Sequence, residues 1–239
     1  MVREIGGPLA NRPLHFFWIC DCSRSMLYHG KMAALNNAIR ETIPYMRDVA
    51  RRNPHARLLV RTLRFATGAE WHVPNPTPIS EFQWSDLQAK GWTHLGKALS
   101  MVAHQLEMPP MDRHALPPVL VLISDGRPTD DFDAGLNALL AQPWGRNAVR
   151  LAIAIGSEAA TAKAQEVFRR FISHPEIGPL QANNPEALVH LIRWASTTAL
   201  EASTSPPSQI RQPSSPEVNV PIPTLPVPTA GWSSPGDVW

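Results

Sequence analysis

The chain has 239 residues, 44% of them hydrophobic, which is enough to bury a core of ordinary domain size and excludes a wholly disordered chain. A formal net charge of +2, with arginines scattered rather than clustered, offers no stripe that would track phosphates, so nucleic acid is not an expected partner.

The first residues, MVREIGGPLANRPLHFF, lack a basic start followed by a long apolar core and a cleavage site, and no later run reaches membrane-spanning length. A soluble cytoplasmic protein without membrane association is expected, with residues 1–13 as an N-terminal extension. HFFWICDC is a near-continuous apolar run of strand length, as expected of a strand buried on both faces. Cys20 and Cys22, the only cysteines, share a face of that strand and read as small buried hydrophobes of a reducing compartment. KMAALNNAIRETIPYMRDVARR carries apolar residues at three- and four-residue steps and is expected to be an amphipathic helix despite Pro44. ARLLVRTLRFAT reads as a less buried, edge-proximal strand because of Arg57, Arg61 and Arg64, with GAEWHV as its hairpin partner.

After a Pro-punctuated loop and GWTHLG, residues 95–107 predict a second amphipathic helix. PVLVLI is the clearest buried strand, ended by SDGRPTDD, which also supplies a helix N-cap in Thr129 or Asp130. A helix over 132–141, a strand in VRLAIAIG, a helix across AKAQEVFRRFI, a short strand near PLQA and a helix from Pro185 to about Leu200 complete the series. Such alternation implies a mostly parallel sheet with helices on both faces. From residue 203 to 239 the composition turns to Pro, Ser and Thr without period and cannot build a core. Within this tail VNVPIPTLPVP favours extended polyproline II, and Trp232 and Trp239 suggest docking on a partner, because exposed tryptophan is costly.

Ligands of open parallel sheets sit at the carboxyl ends of the strands. Three polar turns fall there: Asp21, Ser23 and Ser25 after the first strand, Thr93 before the second helix, and Asp125 after PVLVLI. All are hard oxygen donors, and the set favours Mg²⁺ or Mn²⁺ over zinc. Two acids and three neutral hydroxyls underfill a divalent ion, which keeps waters and an open position for a partner's carboxylate.

DCSRS, the Thr of GWTHLGKAL and the Asp of LISDGRPTD together resemble the metal-ion-dependent adhesion site of von Willebrand factor A (vWA) domains, over roughly residues 14–200. The wider wording is similar to the bacterial TerY/YegL-like branch. The resemblance implies a domain over 14–202 with a Rossmann-like α/β fold, a mostly parallel central sheet with one antiparallel edge strand, and helices on both faces. It implies Mg²⁺ or Mn²⁺ held by Asp21, Ser23, Ser25, Thr93 and Asp125, the hydroxyls directly or through water and the acids directly or from behind. It implies a non-enzymatic interaction module that serves a protein phosphatase 2C-like enzyme and a Ser/Thr kinase in tellurite-resistance or stress signalling. Arg24 stands where the family usually has Gly, and puts a cation beside the site that either repels a metal or pairs with a ligand's acid. His94 stands where the family commonly has Pro. Arg24, His94 and Arg127 near the site, with Trp232 and Trp239 in the tail, are the residues expected to meet a partner.

Two rival readings remain. One is a metal-independent scaffold that binds through its Pro-rich tail. The other is a Mg-dependent phosphohydrolase, against which stand Ser23 where a second Asp is wanted, no glycine-rich phosphate cradle and no G-x-S-x-G elbow.

Overall fold

The computed structural model describes residues 11–204 and residue 239. Six strands, β1 (Arg12–Asp21), β2 (Ala56–Ala66), β3 (Gly68–Pro78), β4 (Val119–Ser124), β5 (Val149–Ile155) and β6 (Leu180–Ala182), form one sheet in the order β3-β2-β1-β4-β5-β6. All neighbours are parallel except β2 and β3, which form an antiparallel edge hairpin. The helices are α1 (Lys31–Arg52), α2 (Leu95–Gln105), α3 (Phe132–Ala141), the short α4 (Pro143–Arg146) and α5 (Gly156–Ala159), α6 (Ala162–Phe171) and α7 (Pro185–Thr204). A one-residue alternation along β1 explains its unbroken apolar run: Phe16, Trp18 and Cys20 face the layer of α1 and α7, while Phe17 and Ile19 face the layer of α2, α3 and α6. Cys20 and Cys22 are both free thiols in the first of these layers.

Three expectations are corrected. β2 does lie next to the edge, second in the sheet, but it is not the less buried strand that its arginines suggest, because Arg61 is nearly enclosed. Its guanidinium donates to Pro74 O and to Gln105 Oε1 and stacks 4.6 Å from the Trp71 ring centroid, so the hairpin supplies what burial removes. The N-cap of α3 is neither Thr129 nor Asp130 but Asp131, whose carboxylate accepts from Ala134 N at 2.9 Å. Asp130 instead caps α2, accepting from Gly96 N at 2.9 Å and Lys97 N at 2.8 Å. The swap follows from how tightly the two helix starts meet: a Cβ on Gly96 would lie 2.0 Å from Asp131 O, and one on Gly135 would lie 2.2 Å from Gly96 O. Finally, α7 runs to Thr204, beyond Leu200 and into the segment read as tail, with Ala202 and Ser203 still buried.

The edge strand β3 carries Pro74, Pro76 and Pro78, compatible with an outer position where missing N–H donors cost nothing. Among the described residues no helix is long and apolar enough to cross a membrane.

Candidate metal site at the carboxyl ends of β1 and β4

The chain turns away from β1 in one direction toward β2 and in the other toward β4, so the crevice between β1 and β4 is the topological switch point of the sheet. β1 delivers Asp21 to this rim and β4 delivers Asp125, both fully buried. Asp21 Oδ1 accepts from Ser23 N at 2.8 Å, and Asp21 Oδ2 accepts from Ser124 Oγ at 2.5 Å. Ser23 Oγ lies 2.9 Å from Ser25 Oγ, and Ser25 Oγ donates to Asp125 Oδ1 at 2.7 Å. Four of the five residues expected to hold a metal therefore form one continuous hydrogen-bonded chain from carboxylate to carboxylate.

Thr93 arrives from the loop before α2. Its backbone is clamped to the loop after β4, with Thr93 N donating to Thr129 Oγ1 at 3.1 Å and Thr93 O accepting from Thr129 N at 2.8 Å. It lines an open cavity of about 500 Å³ together with Ser25, Gly126, Arg127 and Glu158. The fifth donor is thus on the same rim, outside the hydrogen-bonded chain.

Burial, and the nearby charge of Asp125, push the Asp21 carboxyl up to about 7, against the lowering effect of its bonds to Ser124 and Ser23. Two carboxylates closed off from water need a cation, and the protein provides one that sequence reasoning missed. Lys31 Nζ donates to Asp125 Oδ2 at 2.9 Å, with the side chain only 4% exposed, and lies 4.0 Å from Glu158 Oε2 at the rim. The signal was present: Lys31 opens α1 on the stripe that continues through Leu35 and Ile39, and a lysine at a helix N-terminus opposes the helix dipole unless an acid meets it. Ser124 was also missed, although it lies one step past the paired Cys20 and Ile123 and so beside Asp21.

The other expected residues fall as follows. Arg24 is exposed on the turn that carries Ser23 and Ser25, and its N–H donates to Gly91 O at 3.0 Å. His94 stands just before α2 without capping it, and its Nδ1 accepts from Gly68 N at 2.9 Å, which occupies the ring in holding the β2–β3 turn. Arg127 is exposed on the cavity wall. Trp239 lies on the domain itself, with Nε1 donating to His29 O at 2.8 Å. Trp232 and most of the Pro-rich tail lie outside the described residues.

The donor set fits a hard divalent cation: two carboxylates and three hydroxyls on one rim, with no sulfur or imidazole directed at it. No cluster of three or more His, Cys, Asp or Glu able to hold a metal occurs among the described residues, so any ion here depends on the hydroxyls.

No protein-family model and no curated protein sequence matches the chain. Solved structures do. A von Willebrand factor type A protein from Catenulispora acidiphila superposes with a TM-score of 0.59 at 17% identity, over 79% of this chain and 43% of that one. The ArnB paralog VWA2 from Sulfolobus acidocaldarius gives 0.53 at 16% identity, over 81% and 46%. Proximal thread matrix protein 1 from the mussel byssus, solved with a zinc-occupied MIDAS motif, gives 0.55 at 12% identity, over 79% and 49%. This chain spans less than half the length of those three chains. At such identities the likeness concerns architecture, and the architecture is that of a von Willebrand factor A domain: a Rossmann-like α/β fold with five parallel strands and one antiparallel edge.

Proposed function

We propose that the chain is a non-enzymatic, metal-dependent protein-interaction module, with Mg²⁺ or Mn²⁺ held by Asp21, Ser23, Ser25, Thr93 and Asp125. The observation that carries this reading is the unbroken run of hydrogen bonds from Asp21 through Ser23 and Ser25 to Asp125 at the sheet's switch point. The ion would supply an open coordination position for an acidic side chain of a partner. The zinc-occupied MIDAS of the mussel protein supports a divalent ion in this fold, and the all-oxygen set here favours a harder one. Leu27, Tyr28 and Trp92 are each more than half exposed, and they sit on the turn that carries Ser25 and on the residue before Thr93. Exposed apolar side chains beside a charged centre are what a protein partner buries.

The partners proposed are a protein phosphatase 2C-like enzyme and a Ser/Thr kinase, with the chain as their scaffold or regulator in a TerY-type tellurite-resistance or stress pathway of the cytoplasm. The two buried free thiols, Cys20 and Cys22, agree with a reducing compartment. Against the phosphohydrolase reading stands Ser23, where a second Asp two residues after Asp21 is wanted. Calorimetric titration of EDTA-stripped protein tests the metal: heat with Mg²⁺ or Mn²⁺ that disappears in Ser25→Ala supports it, and no heat with either ion refutes it. Affinity capture of the two enzymes in Mg²⁺ and in EDTA tests the partners; capture equal in both buffers separates the metal from the contact.

One observation favours a second reading. Lys31 already neutralises Asp125, so the rim is held together by a built-in cation, as a scaffold that works without metal would require.

A further inference from the structure

Trp239 is the last residue of this sequence, yet it packs against the core layer of α1 and α7, next to the start of α1 and the end of β5. Three features of the domain make a seat for it. The first is a turn of two successive left-handed residues, His29 at φ 54° and Gly30 at φ 71°; His29 is the one non-glycine residue of positive φ among those described. That turn breaks the helical ladder before α1 and leaves the His29 carbonyl as an acceptor, which the Trp239 indole N–H meets at 2.8 Å. The second is Gly156, at φ 73°, where a side chain is missing: a Cβ there would stand 3.1 Å from Trp239 Cβ. The third is the end of the Lys31 side chain, whose Cε would stand 3.3 Å from a Cβ added at Gly156. The Trp239 side chain therefore starts beside Gly156 and the end of Lys31, packs against the core layer, and sets its indole N–H on the carbonyl of the broken helix start.

We propose that His29, Lys31 and Gly156 form a docking site for a tryptophan side chain, and that its resident is Trp239 of the same chain. The site needs no metal. It is distinct from the acid and hydroxyl cluster but touches it through Lys31, whose ammonium is bound to Asp125. Docking in cis meets no limit of reach, because residues 205–238 span on the order of 100 Å when extended. A tethered end presents itself at roughly millimolar effective concentration, well above the micromolar concentration of free copies, so the same chain outcompetes a second one. At an effective concentration about ten times the dissociation constant of its seat, a tethered tryptophan protects that seat about tenfold.

Hydrogen exchange on the full chain in EDTA tests this, read at residues 28–32 and 155–160. Trp239→Ala is expected to raise exchange in both segments about tenfold relative to wild type, and Trp239→Phe, which keeps a smaller aromatic ring and loses the N–H, to fall between. A synthetic peptide of residues 230–239, added in excess to the Trp239→Ala chain, is expected to restore protection. Equal exchange in wild type and Trp239→Ala overturns the site. Wild-type protection that grows with protein concentration, with dimers in sedimentation, gives the seat to a second copy and overturns docking in cis.

Discussion

Replacing Lys31 by methionine is the sharpest probe of the candidate site. The ammonium lies 2.9 Å from Asp125 Oδ2, with side-chain exposures of 4% and 0%. At an effective dielectric near 20 the attraction over that distance is about 6 kcal/mol, most of which offsets the cost of taking both charges out of water. Methionine keeps most of the apolar stem and deletes the charge, so what is lost is compensation: Asp125 stays buried with an uncancelled charge, at a cost of about 3–5 kcal/mol. For a chain of this size each kcal/mol moves the midpoint by roughly 2–4 °C, and Lys31→Met should melt about 10 °C below wild type in EDTA. The metal then acts in the opposite sense. An ion binding the variant meets carboxylates with no internal competitor, whereas in wild type it must displace an ammonium, so saturating Mg²⁺ should raise the variant's midpoint more than that of wild type. Differential scanning fluorimetry, with urea unfolding for the free energies, reads both effects. A loss below about 1 kcal/mol in EDTA, or equal Mg²⁺ shifts in the two proteins, would refute the account of Lys31 as the internal counter-ion.

Asp21 sets the pH dependence. Its carboxyl is raised to about 7 in the fold from an ordinary 3.8, so the folded state keeps a proton that the unfolded chain gives up between those values; the stability this proton contributes is present below about pH 4 and lost as pH rises through 7. Since His15, lowered to about 4 mainly by burial, contributes the opposite slope between about 4 and 6.5, the clean measurement is the difference between wild type and Asp21→Asn across pH 4–8, and a flat difference would count against the raised carboxyl. A metal ion competes with the same proton, so Mg²⁺ affinity should climb up to about pH 7 and then level off, as pH-resolved calorimetry would show. Asn36 bonds Leu87 at both N–H and C=O and accepts from Trp84 Nε1, so Asn36→Ala leaves buried backbone groups unpaired, should cost about 2–4 kcal/mol in urea unfolding, and should raise hydrogen exchange across residues 84–93. Gly135→Ala forces a methyl to within 2.2 Å of Gly96 O; it should destabilise by about 1–3 kcal/mol or more and weaken metal binding by moving the loop that carries Thr93, and an unchanged melting midpoint would contradict the contact.

How much of this was readable beforehand depends on whether the cause was local. The runs HFFWIC, VLVLI and VRLAIAI announce parallel strands buried on both faces, because each is apolar at all but one position at most, and β1, β4 and β5 are those strands. The strand-end acids and hydroxyls were legible for the same reason, since residue type and strand terminus are both local. The apolar stripe marked Lys31, but its partner was hidden because Asp125 lies 94 residues away, past the end of another strand. Arg61 was misjudged because its burial is compensated by Pro74, Gln105 and Trp71, none of them neighbours in sequence. The capping roles of Asp130 and Asp131 turned on how closely two glycines let α2 and α3 approach, a fact of packing that Ser/Thr/Asp patterns do not carry.

The two borders of the sheet carry one more consequence. Alternate residues of a strand send their N–H groups to the same side, and β3 holds proline at 74, 76 and 78; the opposite border, β6, is only three residues long. Among the described residues, the proline-bearing half of β3 and the short β6 leave only residues 68–73 as a proline-free stretch of outer backbone. Strand addition, by which sheet proteins polymerise or trap an extended peptide, is thereby confined to a short stretch of one border. Under the proposed function, contact with a partner then falls to side chains on the loops at the ends of the strands, where Leu27, Tyr28 and Trp92 stand more than half exposed.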